Sequence, residues 1–173
     1  MARQNGEVRV CFVCSGNICR SPTAEVVFGA LLRDAGLDDV IVDSAGTGDW
    51  HVGDDMDRRA RATLVTHGYD HPRHEAKQFT PADFASRDLV VALDAGHVRH
   101  LQELASSADE PDEARTKIVL LRSFDPDADP ADLDVPDPYY GGADGFVEVL
   151  EQIESAGAGL LTSLSQQTLR PPL

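Results

Sequence analysis

Basic residues are scarce in this sequence: 15 lysines and arginines stand against 30 aspartates and glutamates, a formal net charge of -15. A chain this acidic repels polyanions, which argues against nucleic acid as a ligand. The acids gather in residues 108–113 (ADEPDE) and 125–137 (DPDADPADLDVPD), and these runs read as solvated loops. Long apolar runs are missing as well. No stretch approaches the length of a membrane span, and the first ten residues, MARQNGEVRV, lack the apolar core of a signal peptide. The expectation is a cytoplasmic protein with no membrane partner. Only three cysteines occur, Cys11, Cys14 and Cys19, too few and too crowded for the framework of a disulfide-stapled secreted domain. Aromatic side chains are few, yet Trp50, Tyr139 and Tyr140 fall in polar, glycine-flanked loops where core residues are least expected. They read as walls of a substrate slot.

With 173 residues the chain is long enough for one domain with a proper core, expected over about residues 8–165 with flexible termini and a frayed tail, QQTLRPPL. Residues 8–13 pattern as a strand. Residues 22–36, PTAEVVFGALLRDAG, pattern as a helix with Pro22 near its start and Gly36 as its stop. The alternation continues with strands at 40–46, 88–93 and 117–121 and helices at 57–68, 95–107 and 145–164. It predicts an α/β fold: one three-layer domain, a four-stranded parallel sheet with helices on both faces, and a phosphate-binding loop after the first strand. Ligands in such folds sit beyond the carboxyl ends of the strands, where residues 14–21 lie. No internal repeat is present, and a monomer is expected.

The densest chemistry is CSGNICRSP, residues 14–22, leaving a strand and entering a helix. Such a turn aims successive backbone N–H groups into one concavity, and the helix N-terminus adds partial positive charge. Gly16 and Asn17 are residue types that tolerate positive φ, suited to a loop curled around a tetrahedral anion. The remaining turn residues, Ser15, Ile18 and Cys19, complete the cradle. Arg20 returns its planar fork to two phosphate oxygens. Cys14, at the base of a positive well, is expected to ionise readily and act as a nucleophile beneath a bound phosphoryl group, with Ser21 tuning its sulfur. Cys11 reads as a buried core thiol. Cys19 is either a packed thiol or the partner of Cys14 in a reversible disulfide under peroxide.

Other motifs fail on inspection. Cys11 and Cys14 spell C-x-x-C, but no second ligand pair follows for zinc. Asp125, Asp127 and Asp129 start a calcium-loop spacing that Pro130 and Pro136 break. GTGDWH, residues 46–51, has His51 where a dinucleotide fingerprint needs its third glycine. No metal and no cofactor are expected.

VCSGNICRSPTAE, residues 13–25, is similar to the signature of the low-molecular-weight protein tyrosine phosphatases. DSAGTGDWHVG (43–53), HG (67–68), DLVVALD (88–94), RSFDP (122–126) and DPYYGG (137–142) extend the resemblance along most of the chain. It implies a cysteine-dependent hydrolase of phosphotyrosine in proteins, with Cys14 as nucleophile, Arg20 as phosphate clamp and Asp137 as general acid. It also implies that Asn17, Ser21, Ser44 and His74 hold the loop in shape, and that a cognate tyrosine kinase makes the substrate. His74 falls in a segment longer than the family's usual one, with His71 close by, and an insertion near 107–115 is expected as a surface loop. The arsenate reductase branch of the same fold uses downstream cysteines that this chain lacks after Cys19. The protein arginine phosphatase branch carries threonine where this sequence has Ile18. A non-catalytic phosphate-binding module is the alternative from a different class.

Overall fold

The computed structural model describes residues 6–70 and 72–166; His71 and the tail from 167 onward lie outside the described residues. Four strands form the sheet: β1 (Val8–Cys14), β2 (Val40–Gly46), β3 (Leu89–Ala92) and β4 (Ile118–Leu120). They pair in parallel in the order β2-β1-β3-β4. The helices are α1 (Arg20–Ala35), α2 (Arg58–Thr66), α3 (Ala95–Ala105), α4 (Pro111–Thr116) and α5 (Ala143–Ser165), with 3₁₀ turns at Pro81–Ser86 and Leu121–Phe124. Among the described residues no helix is long and apolar enough to cross a membrane.

Strand alternation divides the core into two layers. Val10 and Phe12 of β1 and Leu89 and Val91 of β3 face the layer of α1, α2 and α5. Cys11, Val13, Val90 and Ala92 face the layer of α3 and α4 with Phe79 and Phe84. Because successive side chains point to opposite faces, a strand covered on both sides must be apolar throughout, and β3 is buried at all four positions. Phe12 and Phe28 meet edge to face at 5.5 Å between ring centroids. Each such fully buried side chain contributes about 1.5–3 kcal/mol of apolar transfer energy. Cys11 has no exposed surface and packs as the core thiol expected of it.

α1 ends where Gly36 takes a left-handed φ of 67°, a conformation that glycine adopts without steric cost. The acidic insertion departs from the loop expected of it. Residues 111–116 form α4, with Pro111 at its start, Asp112 and Glu113 in its first turn and Arg115 in its last, all favourable to the helix dipole. Only Ala114 of this helix is buried, so no apolar periodicity marked it.

β1 is central, and the chain leaves it toward β2 on one side before crossing to β3 on the other. The connections after β1 and β3 therefore diverge, opening a cleft beyond their carboxyl ends. The turn 14–20, the segment after β3, and the loops carrying Trp50 and Asp137 all border that cleft.

Candidate active site

The turn between β1 and α1 is held from outside by its carbonyls. Cys14 O accepts from Thr47 N–H (2.8 Å), Ser15 O from Gly48 N–H (3.0 Å) and Ile18 O from Asp57 N–H (2.9 Å). His74 Nε2 lies 2.7 Å from Asn17 O. The N–H groups of residues 15–19 are spent on none of these bonds.

Asn17 is the hub. It has a φ of 57°, the one positive φ outside glycine among the described residues, in a region that asparagine tolerates better than most side chains. Its Nδ2 donates to Ser21 Oγ (2.8 Å) and Ser44 Oγ (2.9 Å), and its Oδ1 accepts from Lys77 N–H (3.0 Å). Ser44 in turn donates to Glu25 Oε2 at 2.5 Å. The direction of this chain leaves the Ser21 proton for Cys14 Sγ, 2.9 Å away, or for the more distant Ala45 O at 3.3 Å. Every side chain expected to support the loop is thus joined to it, and Glu25 is an added member.

Gly16 departs from expectation, since it is not among the residues with positive φ. Its lack of a side chain serves packing instead: a Cβ there would lie 2.9 Å from the His51 ring. Gly46 matters more. A Cβ on it would lie 2.7 Å from Ser15 O and 3.2 Å from Asn17 N, both backbone atoms of the turn. Gly46→Ala is expected to displace the turn and lower kcat/KM by about 10²-fold, the scale of a 1 Å misplacement, with a much smaller change in thermal midpoint. Steady-state kinetics beside a melting curve checks this.

Arg20 opens α1 and is buried. Its Nη1 donates to Asp94 Oδ2 (2.8 Å) and Val135 O (3.1 Å), which uses both protons of that nitrogen. Nη2 reaches Ser15 Oγ at 3.5 Å and lies 3.6 Å from Asp137 Oδ2. With Nη1 so committed, the Nε and Nη2 edge is the one left for a ligand. Asp137 is 45% exposed at its side chain, and its Oδ1 accepts from Tyr139 N–H (3.1 Å). Asp134, three residues earlier, is occupied elsewhere, accepting from Ala95 N–H at the start of α3 (2.8 Å).

Cys14, Arg20, Asp137, Ile18, Trp50, His51, Tyr139 and Tyr140 line one pocket of about 460 Å³. Trp50 is 71% exposed and its ring lies over Gly48, where a Cβ would come within 2.0 Å of it. The glycines of GTGDWH are therefore needed for close approach of a turn and a ring. Tyr139 and Tyr140 stack edge to face at 5.0 Å. Arg59 lies 5.4 Å from the Tyr139 ring centroid and donates to Tyr139 O (3.0 Å). Burial pushes the Cys19 thiol up to about 12, reinforced by Asp57 and Cys14, so it stays protonated at neutral pH.

Asp94, His97, Gly46, His51 and Arg59 join the site without having been singled out from sequence. Asp94 had a usable signal, an acid two residues past the carboxyl end of a buried strand. Burial holds the His97 imidazole down at about 4 against the opposing pull of Asp94. Unfolding releases it to protonate near pH 6.5, so stability is full above that value and erodes as pH falls toward 4, by roughly 3 kcal/mol. Urea titrations of wild type and His97→Gln should show a shallower pH slope for the variant in that window.

A parallel α/β sheet whose first strand delivers a Cys-x5-Arg turn into a helix defines a cysteine-dependent phosphatase. The chain belongs to the low molecular weight phosphotyrosine protein phosphatase family, whose pattern matches residues 9–170. A low molecular weight protein-tyrosine-phosphatase of Streptomyces coelicolor is 56% identical over 160 residues, 92% of this chain and 94% of the relative. Low molecular weight protein-tyrosine phosphatase A of Mycobacterium tuberculosis is 48% identical over 154 residues, 88% of this chain and 89% of the relative. The crystal structure of a protein tyrosine phosphatase from Entamoeba histolytica, with Hepes in its active site, superposes with a TM-score of 0.86 at 32% identity, covering 94% of this chain and 100% of that one.

Proposed function

We propose that the protein hydrolyses phosphotyrosine in proteins or peptides through a phosphocysteine intermediate. One observation carries the reading: Cys14, Arg20 and Asp137, drawn from two ends of the chain, converge on a single aromatic-walled pocket. The thiolate of Cys14 attacks phosphorus, an S–P bond forms, and the bond to the phenolic oxygen breaks as protonated Asp137 gives its proton to that oxygen. Water then attacks the phosphocysteine, Asp137 takes its proton, and the S–P bond breaks to release inorganic phosphate. The N–H groups of the turn and the Nε and Nη2 edge of Arg20 hold the equatorial oxygens through both steps. The Ser21 hydroxyl, oriented by Asn17, stabilises the departing sulfur.

Phosphotyrosine is favoured by the walls. Ile18, Trp50 and Tyr139 offer apolar faces to an aryl ring, whereas a short phosphoserine side chain does not bring its phosphorus past them to Cys14. Turnover of peptides carrying phosphotyrosine, phosphoserine or phosphoarginine tests this, with phosphotyrosine expected to be preferred. Trp50→Ala is expected to raise KM for phosphotyrosyl peptides by roughly 3- to 10-fold, the worth of one aromatic contact, while changing KM for p-nitrophenyl phosphate less. Equal rates on phosphoserine peptides would refute the slot.

A further inference from the structure

His97 is buried one turn into α3, three residues after the N-cap Asp94. It does not line the pocket, and nothing in the proposed chemistry uses it. Its Nε2 nonetheless lies 2.9 Å from Ser15 Oγ, a bond between residues 82 apart that ties the start of α3 to the turn after β1. On its other side, Asp94 Oδ1 accepts from the His97 backbone N–H (2.8 Å) and stands 3.3 Å from Nδ1, which has no hydrogen-bond partner among the described residues. The second oxygen of the same carboxylate receives Arg20 Nη1. Asp94 and Ser15 therefore each touch both His97 and Arg20.

The carboxylate decides the tautomer. A bare Nδ1 facing Asp94 Oδ1 sets two lone pairs against each other in a buried place, whereas a proton on Nδ1 points a positive end at the carboxylate. Burial keeps the ring neutral, so a proton on Nδ1 makes Nε2 an acceptor. The single proton of the Ser15 hydroxyl then goes to Nε2, and the lone pairs of Oγ are left for Arg20 Nη2. In the opposite tautomer Ser15 would receive a proton from the ring, and its own could turn against the guanidinium.

We infer that His97 is a positioning residue for the phosphate clamp: by accepting the Ser15 hydroxyl it makes Ser15 Oγ a fixed acceptor for Arg20 and so sets the plane of the guanidinium. The inference rests on the reading of Arg20 as that clamp. Asp94 and Val135 hold one nitrogen, Ser15 steadies the other, and the Nε and Nη2 edge is presented to an incoming phosphate in one orientation. The ring acts through two other side chains and touches no substrate.

Competitive inhibition by inorganic phosphate, measured against p-nitrophenyl phosphate, tests the chain. His97→Ala and Ser15→Ala are each expected to raise the phosphate inhibition constant on the order of 3- to 10-fold, the worth of one hydrogen bond, and the double variant no further than either alone. His97→Gln, whose amide oxygen accepts from Ser15, is expected to recover most of the loss. A packing role alone would lower the thermal midpoint without this non-additivity or this rescue. Additive losses in the double variant, or unchanged phosphate inhibition in either single variant, would overturn the inference. If His97→Ala does not fold, His97→Phe, which fills the place of the ring without an acceptor for Ser15, takes its place in the same comparison with Ser15→Ala and their combination. Arg20→Lys separates the two levels. Should it bind phosphate as wild type does, the clamp reading fails and the inference with it; should it lose phosphate while the His97 variants do not, the inference alone fails.

Discussion

Cys14→Ser is expected to abolish turnover, by about 10⁴-fold or more, the scale seen when a nucleophile is removed, while inorganic phosphate still binds. The asymmetry follows from how the site is built. The turn is fixed through the carbonyls of residues 14, 15, 17 and 18, and the clamp through Asp94, Val135 and Ser15; none of these bonds involves the Cys14 sulfur. Serine fits where a buried cysteine did and can still meet Ser21, so the cradle persists without its thiolate. Single-turnover kinetics with a phosphotyrosyl peptide, paired with phosphate binding by calorimetry, checks both halves. Residual activity above roughly 1% of wild type would remove Cys14 from the reaction, and loss of phosphate binding would show that the sulfur is also structural. Cys19 offers no substitute nucleophile, because its thiol is held up at about 12.

Asp137→Asn is expected to slow hydrolysis of phosphotyrosine by about 10²- to 10⁴-fold, the usual worth of proton donation, and that of p-nitrophenyl phosphate far less. Phenolate is a poor leaving group without a proton, whereas nitrophenolate departs readily as the anion. The amide keeps the size of the side chain and can still accept from Tyr139 N–H, so the loop should hold its place. A series of aryl phosphates gives the readout: the variant's rates should fall more steeply as the leaving group becomes more basic. Parallel losses along the series would make Asp137 a structural residue. Asp134 would not then inherit the role, since its carboxylate caps α3 through Ala95 N–H and does not line the pocket.

The parts of the site that lie in one stretch of chain were legible as a sequence, because residues 14–22 put the proposed nucleophile, cradle and clamp in register with a strand end and a helix start. The four strands and the long helices were legible too, through apolar periodicity and stops such as Gly36. Asp137, by contrast, looks like its acidic neighbours and was picked out by family resemblance. Asp94 and His97 escaped notice because their meaning arises only when β3 comes to lie beside β1, 74 and 82 residues from their partners Arg20 and Ser15. Gly46 escaped for a similar reason: what forbids a side chain there is the backbone of a turn some thirty residues away in sequence. For Gly16 the residue type was noticed but the cause was misjudged, steric crowding by His51 in place of a left-handed backbone.

The loop bearing Asp137 behaves mechanically as a short beam on two supports. At one end Val135 is pinned to the sheet by Leu93 O and to Arg20 by its own carbonyl; at the other, Tyr139 O rests on Arg59 of α2. Only Pro136, Asp137 and Pro138 span the gap, and two prolines stiffen it. The height of the carboxylate above Cys14 is thereby decoupled from whatever precedes the first support. The stretch of residues 126–131, exposed but for the half-buried Ala128, is then free to change in length and charge over evolution, or to be redesigned, while the acid stays at the same station. Loosening either arginine support would instead let the beam sag.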